Sequence, residues 1–243
     1  MAKAVSPPIS SFPLPFIPRK VVARVLLAGL DESSSAVLRE CFRHFGIQTV
    51  SSNSDTEKRL QKEKFEACVV QLSRPDAESV LSAARKSTSN SRIVIYGISR
   101  DTQEALRFSK LGINAIINHP VDRPSALKVV RSTHLLVVHE LRRYVRLPVV
   151  TEVRVEYGNG DTFRGDSVEI SAGGLSMRSD VRLNKETPVE VTFTLPPKDK
   201  VVVSRASVCW KREAAGMIGI RFDATDDRRL EVKRWIDSYL EIG

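Results

Sequence analysis

The chain has 243 residues, of which 42% are hydrophobic and 28% charged, and its formal net charge is +9. That is the composition of a soluble globular protein long enough to bury two separate cores. Its three cysteines (Cys41, Cys68, Cys209) each sit in an apolar segment and none forms a CxxC pair, which speaks against a disulfide framework or a zinc site and for a reducing cytoplasm.

The first twenty residues hold five of the twelve prolines. Proline interrupts the helical core of a signal peptide, so residues 1–20 are expected to be a disordered or polyproline-type tail. From Val21 to about Arg131 short apolar runs alternate with helical patterns: VARVLLAG, SSSAVLRECFRHFG, QTV, TEKRLQKE, EACVVQL, AESVLSAARKS, SRIVIYG, DTQEALRFSKLG and NAIINHP. Runs such as VVARVLL and CVVQL are apolar throughout, as in strands buried on both faces of a parallel sheet, and the alternation predicts a doubly wound α/β domain over residues 21–141. In the first helix Val37, Leu38, Cys41, Phe42 and Phe45 recur at helical spacing, and Asp31 or the serines after it offer an N-cap.

The segment SALKVVRSTHLLVVHELRRY follows without a Gly or Pro break, and Leu127, Val130, His134, Val137 and Leu141 make an apolar stripe along it. Packing on the sheet accounts for its first part. The part beyond His134 is expected to outrun the sheet, which would leave the 125–141 helix a surface for a partner helix or a homodimer.

After Pro148 the period changes to two, with turn residues between runs, so residues 142–243 are expected to form an antiparallel β-barrel or sandwich. The segment YGNGDTF signals a hairpin, and DDRRLEVKRWIDSYLEIG reads as a closing helix with Leu230, Val232, Trp235, Ile236 and Tyr239 on its apolar face. No transmembrane span is expected, since no apolar run approaches the roughly 18 residues a bilayer requires. Residues 1–141 carry 20 Lys and Arg against 13 Asp and Glu, and residues 142–243 carry 18 against 16. The excess is spread without interleaved aromatics or a basic stripe, so nucleic acid is not the expected partner.

The opening VARVLLAGLDESSSAVLRECFRHFGIQTV and the close LGINAIINHPVDRPSAL resemble the receiver domain of response regulators over about residues 22–140. The family transfers a phosphoryl group to an aspartate after the third strand, with magnesium held by acids after the first. It also uses a hydroxyl after the fourth strand and a lysine before proline after the fifth. Here the acidic pair falls on Gly29 and Leu30 with Asp31 nearby, the acceptor on Gln71, the hydroxyl on Gly97 and the lysine on His119. A glutamine amide is no carboxylate nucleophile and magnesium has lost its oxygen ligands, so the resemblance implies a non-phosphorylatable pseudo-receiver with no catalytic or metal residues. Another flavodoxin-like domain in chance register is the alternative.

Two further features are the basic segment RRYVR and the later turn EISAGG. With the β-rich pattern around them they resemble a PilZ domain, the bacterial receptor module for cyclic di-GMP, over residues 140–243. Arg142 and Arg146 occupy the ends of the family's RxxxR, Arg143 is the neighbouring arginine, Ser171 and Gly174 match its (D/N)xSxxG, and Glu169 stands where that motif has Asp or Asn. The chemistry suits the ligand: a guanidinium forks onto phosphate oxygens or a guanine edge and stacks on a base. Glu169 keeps the carboxylate but sets it one methylene farther out. The implied protein is a non-enzymatic signalling receptor with no cofactor, binding cyclic di-GMP and passing its state to a downstream protein. The alternative is an interaction scaffold whose degenerate PilZ domain binds no nucleotide, with Arg142, Arg143 and Arg146 solvating a linker or paired to surface acids such as Glu140.

Overall fold

The computed structural model describes residues 21–181, 183–196 and 200–240; the tail expected over residues 1–20 lies outside them. The described residues divide into two compact units, one of residues 21–145 and 236–240 and one of residues 146–235.

In the first unit β1 (Arg24–Ala28), α1 (Glu32–Arg43), β2 (Gln48–Ser52), α2 (Thr56–Lys62), β3 (Ala67–Gln71), α3 (Ala77–Lys86), β4 (Val94–Ser99), α4 (Thr102–Arg107), β5 (Ala115–Asn118) and α5 (Arg123–Tyr144) follow in order. The strands form one parallel sheet ordered β2-β1-β3-β4-β5. This is the order of flavodoxin-like doubly wound sheets. Every residue of β4 and all but the terminal residue of β1 and β3 is buried, as their unbroken apolar runs require of strands covered by helices on both faces. Asp31 caps α1, Asp101 caps α4 and Asp122 caps α5, each accepting from the backbone N–H three residues on.

Helix α5 differs from its sequence stripe. Val130, Val137 and Leu141 are buried as expected, but so are Ala126, Thr133, Val138 and Glu140, while Leu127 and His134 are only half-buried. Two side-chain contacts set this rotation. Tyr96, fully buried in β4, shares a hydrogen bond of 2.8 Å with the Thr133 hydroxyl, and the His134 ring stacks on Phe45 with centroids 5.0 Å apart. Leu135 and Leu136 are left exposed. The helix also runs on to Tyr144, past the 141/142 division drawn from sequence.

The second unit contains β6 (Leu147–Pro148), β7 (Glu152–Tyr157), β8 (Asp161–Ser171), β9 (Gly174–Arg178), β10 (Pro188–Leu195), β11 (Lys200–Arg212) and β12 (Met217–Phe222). All pairings are antiparallel, and the ring β8-β7-β10-β11-β12-β9 closes on itself through the pairing of β9 with β8, giving a six-stranded barrel with β6 attached to β8. Strand β8 makes the closure possible. Its first part pairs with β7, its last part with β9 and β6, and the register shifts between Ser167 and Glu169. The last helix, α6 (Arg229–Asp237), ends earlier than the sequence suggested: Ser238 and Tyr239 turn, and Leu240 forms a parallel bridge with Val21.

Asn90, in the loop between α3 and β4, is fully buried, accepts from Phe65 N–H at 2.9 Å and donates to the carbonyls of Leu60 and Glu63 at 2.6 and 2.7 Å. It satisfies backbone groups of the α2–β3 connection, sharing the Leu60 carbonyl with the Ser87 hydroxyl at 2.8 Å. Asn90→Ala should cost the first unit about 3 kcal/mol by removing the partner of the Phe65 N–H and the Glu63 carbonyl in the interior, read as a lower urea midpoint for that unit.

Candidate ligand-binding site

The last turn of α5 carries Arg142 and Arg143, where cations are favoured by the helix dipole. Both guanidiniums meet carboxylates. Arg142 Nε donates to Asp237 Oδ1 at 2.7 Å, and Arg143 Nη1 donates to Glu140 Oε2 at 2.8 Å. Glu140 was read from sequence as a surface acid, but its side chain is only 3% exposed, and its other oxygen accepts from Lys64 Nζ at 2.9 Å. Burying a carboxylate is costly unless cations accompany it. Burial pushes the Lys64 amine below its usual pKa while the Glu140 hydrogen bond pulls it back up. The Lys64 ammonium lies 3.9 Å from the centre of the Tyr144 ring, with the Arg143 guanidinium 5.6 Å from the same ring.

Arg146 is exposed, one residue before β6, and belongs to the barrel unit. Leu147 pairs with Ile170 and Pro148 with Glu169, so one step back along that register Arg146 falls opposite Ser171. Glu169, half-buried on β8, lies between Pro148 on one side and Ser176 of β9 on the other. The Ser171 hydroxyl donates to the Gly174 carbonyl at 2.9 Å and closes the turn from β8 to β9. Gly174 is required for a different reason: a Cβ there would lie 2.1 Å from the Ile220 carbonyl oxygen of β12. Its missing side chain admits the barrel's own backbone. The structure thus brings Arg146, Glu169, Ser171 and Gly174 together at one end of β8.

Sequence reasoning missed several neighbours of these residues. Asp237 and Lys64 are far from the arginines in sequence, and only folding brings them there. Register continues the row Glu169–Ser176 to Gly219 of β12 and Trp210 of β11, placing all four on one face. Ser176 Oγ is buried without a hydrogen-bond partner among the described residues, and the Trp210 indole lies where a Cβ on Gly219 would be, 2.1 Å from that position. A serine and a tryptophan in alternating strands give no sequence signal of such a row.

At the carboxyl edge of the parallel sheet, the positions aligned with receiver chemistry carry other contacts. Gly29 has φ +62, and its carbonyl accepts from Arg74 Nη1 at 3.1 Å, while Arg74 Nε and Nη2 fork onto the two Asp76 carboxylate oxygens at 2.8 Å each. A side chain at Gly29 would meet the Arg74 guanidinium, so a cation lies against the position where a receiver has its metal-holding acids. Leu30 follows it before α1. Gln71 Nε2 donates to the Ser73 hydroxyl at 3.2 Å, and Gly97 packs against Leu72 and Ile116. His119 Nδ1 is buried with no hydrogen-bond partner among the described residues. Asp31 is committed to α1: the Ser34 N–H and the Ser33 and Ser34 hydroxyls hold its carboxyl down at about 2. Among the described residues no group of His, Cys, Asp and Glu is arranged to hold a metal ion.

Residues 140–240 match the family model of the PilZ domain. Among solved structures, the chain is similar to the PilZ domain of CeSA from a cellulose-synthesizing bacterium, at 18% identity over 39% of this chain and 96% of that one, with a TM-score of 0.34. It is also similar to the chemotaxis response regulator CheY4 of Vibrio cholerae, at 15% identity over 48% of this chain and 99% of that one, TM-score 0.42. A sensor protein from Polaromonas sp. JS666 is similar at 20% identity over 49% of this chain and 98% of that one, TM-score 0.40. No curated protein matches.

The contrast between the two turn glycines is testable. Gly174→Ala should destabilise the barrel by about 1–3 kcal/mol, since the clash is with backbone rather than a movable side chain. Gly173→Ala, where an added Cβ meets nothing within 4 Å, should leave it unchanged; thermal melting of the two variants compares them.

Proposed function

With residues 140–240 belonging to the PilZ domain family behind a receiver-like α/β unit, we propose that the protein is a non-enzymatic receptor for cyclic di-GMP. The observation that carries this reading is the grouping at one end of β8. Arg146, Ser171 and Glu169 fall on neighbouring positions of β6 and β8, with Gly174 closing the turn beside them. Arg142 precedes Arg146 by four residues in the motif spacing. Arg142, Arg143 and Arg146 supply guanidiniums for phosphate oxygens or guanine edges, and Glu169 accepts from the N–H groups of a guanine. The Ser176 hydroxyl beside Glu169, unpartnered among the described residues, adds a polar contact, and the Trp210 indole on the same face offers a base a flat apolar surface.

The receiver-like unit serves as an interaction module that is not phosphorylated. Gln71 lacks the nucleophilic oxygen, Gly97 lacks the hydroxyl, and Arg74 sets a cation against Gly29. A downstream protein receives the signal, and the exposed Leu135 and Leu136 on α5 suit either that protein or a second copy of the chain. No described helix is long and apolar enough to cross a membrane, and the reading places the receptor in the cytoplasm.

The scaffold reading keeps one observation in its favour: Arg142 and Arg143 are already engaged by Asp237 and Glu140. Calorimetric titration with cyclic di-GMP separates the two, since a scaffold releases no heat. Arg142→Ala or Arg146→Ala should weaken binding by about ten- to a hundredfold, the loss of one charge-assisted hydrogen bond or a pair of them, and Glu169→Asp should tighten it. Incubation with acetyl phosphate and magnesium should leave the intact mass unchanged; a stoichiometric gain of one phosphoryl group would overturn the pseudo-receiver assignment.

A further inference from the structure

We propose that Asp237 is a built-in competitor for the nucleotide, so that the ion pair it forms with Arg142 is a latch which ligand binding opens; the proposal rests on the cyclic di-GMP reading above. Arg142 Nε donates to Asp237 Oδ1 at 2.7 Å, and the two side chains are 26% and 28% exposed, so solvent screens the pair only in part. Nε lies on one of the two edges by which a guanidinium forks onto an oxyanion. A phosphate that takes that edge displaces the carboxylate.

The displaced residue has a defined place in the chain. Asp237 ends α6, and its carbonyl accepts from the Leu240 N–H at 3.2 Å. Tyr239 N–H donates to the Ile236 carbonyl at 3.0 Å, Tyr239 O accepts from Val21 N–H at 3.0 Å, and Leu240 bridges Val21. Residues 237–240 therefore tie the last turn of α5 to the entrance of β1 through one side-chain pair and a short run of backbone bonds. Linkage makes the coupling reciprocal: whatever holds Asp237 on Arg142 weakens nucleotide binding, and bound nucleotide loosens residues 237–240.

The sequence disguises this arrangement. Arg142 and Asp237 are 95 positions apart, and α6 reads as an amphipathic helix whose last carboxylate is one of many surface acids. Its placement within hydrogen-bonding distance of a motif arginine is a product of the fold.

The test compares wild type with Asp237→Asn and Asp237→Ala by titration with cyclic di-GMP, using Asp227→Asn as a control that removes the same charge from an exposed position at the other end of the helix. Both Asp237 variants should bind about three- to tenfold more tightly, a range set by the strength of a half-exposed ion pair, with the control within about twofold of wild type. Amide hydrogen exchange at residues 237–240 should rise when wild type binds nucleotide, and should already be raised in both variants without it. Equal affinity of wild type and the Asp237 variants, or the same gain in the Asp227 control, overturns the latch while leaving the receptor standing. No binding by any of the proteins overturns the receptor reading and the latch with it.

Discussion

The six-stranded ring closes where β9 pairs with β8, and in this barrel β8 serves different partners along its length. It leaves β7 after Asp166, shifts register between Ser167 and Glu169, and pairs with β9 on one side and β6 on the other. The positions of the candidate ligand residues follow from that change of partner. Glu169 sits just past the shift, Ser171 ends the strand, and the tight turn to β9 exists because β9 must return along β8 while also pairing with β12. At its start the backbones of β9 and β12 come so close that only a glycine fits, and Gly174 fills that requirement. A motif that reads as a binding signature is therefore in part a condition for the barrel to close. The two demands fall on adjacent atoms: Ser171 spends its proton on the Gly174 carbonyl and keeps its lone pairs for other partners.

The arginines before the barrel are subject to a different constraint. An ionised carboxylate is buried only at a large cost unless cations accompany it, and Glu140 is accompanied by Lys64 and Arg143. Arg143 thus has a structural task in the first unit, and the Tyr144 ring beneath both cations adds to their placement. Arg142 is held more lightly by the half-exposed Asp237, and Arg146 stands at the start of the barrel. The arginines of this short segment are not equivalent donors: burial of the opposing acid ranks Arg143 above Arg142 in its commitment to the fold.

At the carboxyl edge of the parallel sheet, the place where open α/β sheets present their chemistry, the exchange of charge is coherent. Arg74 lies against Gly29, its own carboxylate partner is Asp76, and the nearby Asp31 is absorbed by the first turn of α1. Gly29 holds a positive φ of +62 that favours glycine, and through its carbonyl Arg74 joins the loop after β1 to the loop after β3.

The sequence by itself determined the alternation of buried strands and amphipathic helices, the change to period two after Pro148, and the residue types of the RxxxR and SxxG segments, because each depends on neighbours a few positions apart. It placed Asp31 as an N-cap for the same reason: the bond reaches three residues. What it left undecided depends on distant residues. The buried face of α5 was set by Tyr96 meeting Thr133, the engagement of Arg142 by Asp237 and of the buried Glu140 by Lys64, and the row of Glu169, Ser176, Gly219 and Trp210 by pairing across four strands. Periodicity records which face of an element is apolar, but carries no information about which residue stands across from it. Only the closed sheet and the packed helix supply that, since it is the register and the crossing that bring remote side chains within reach of a hydrogen bond.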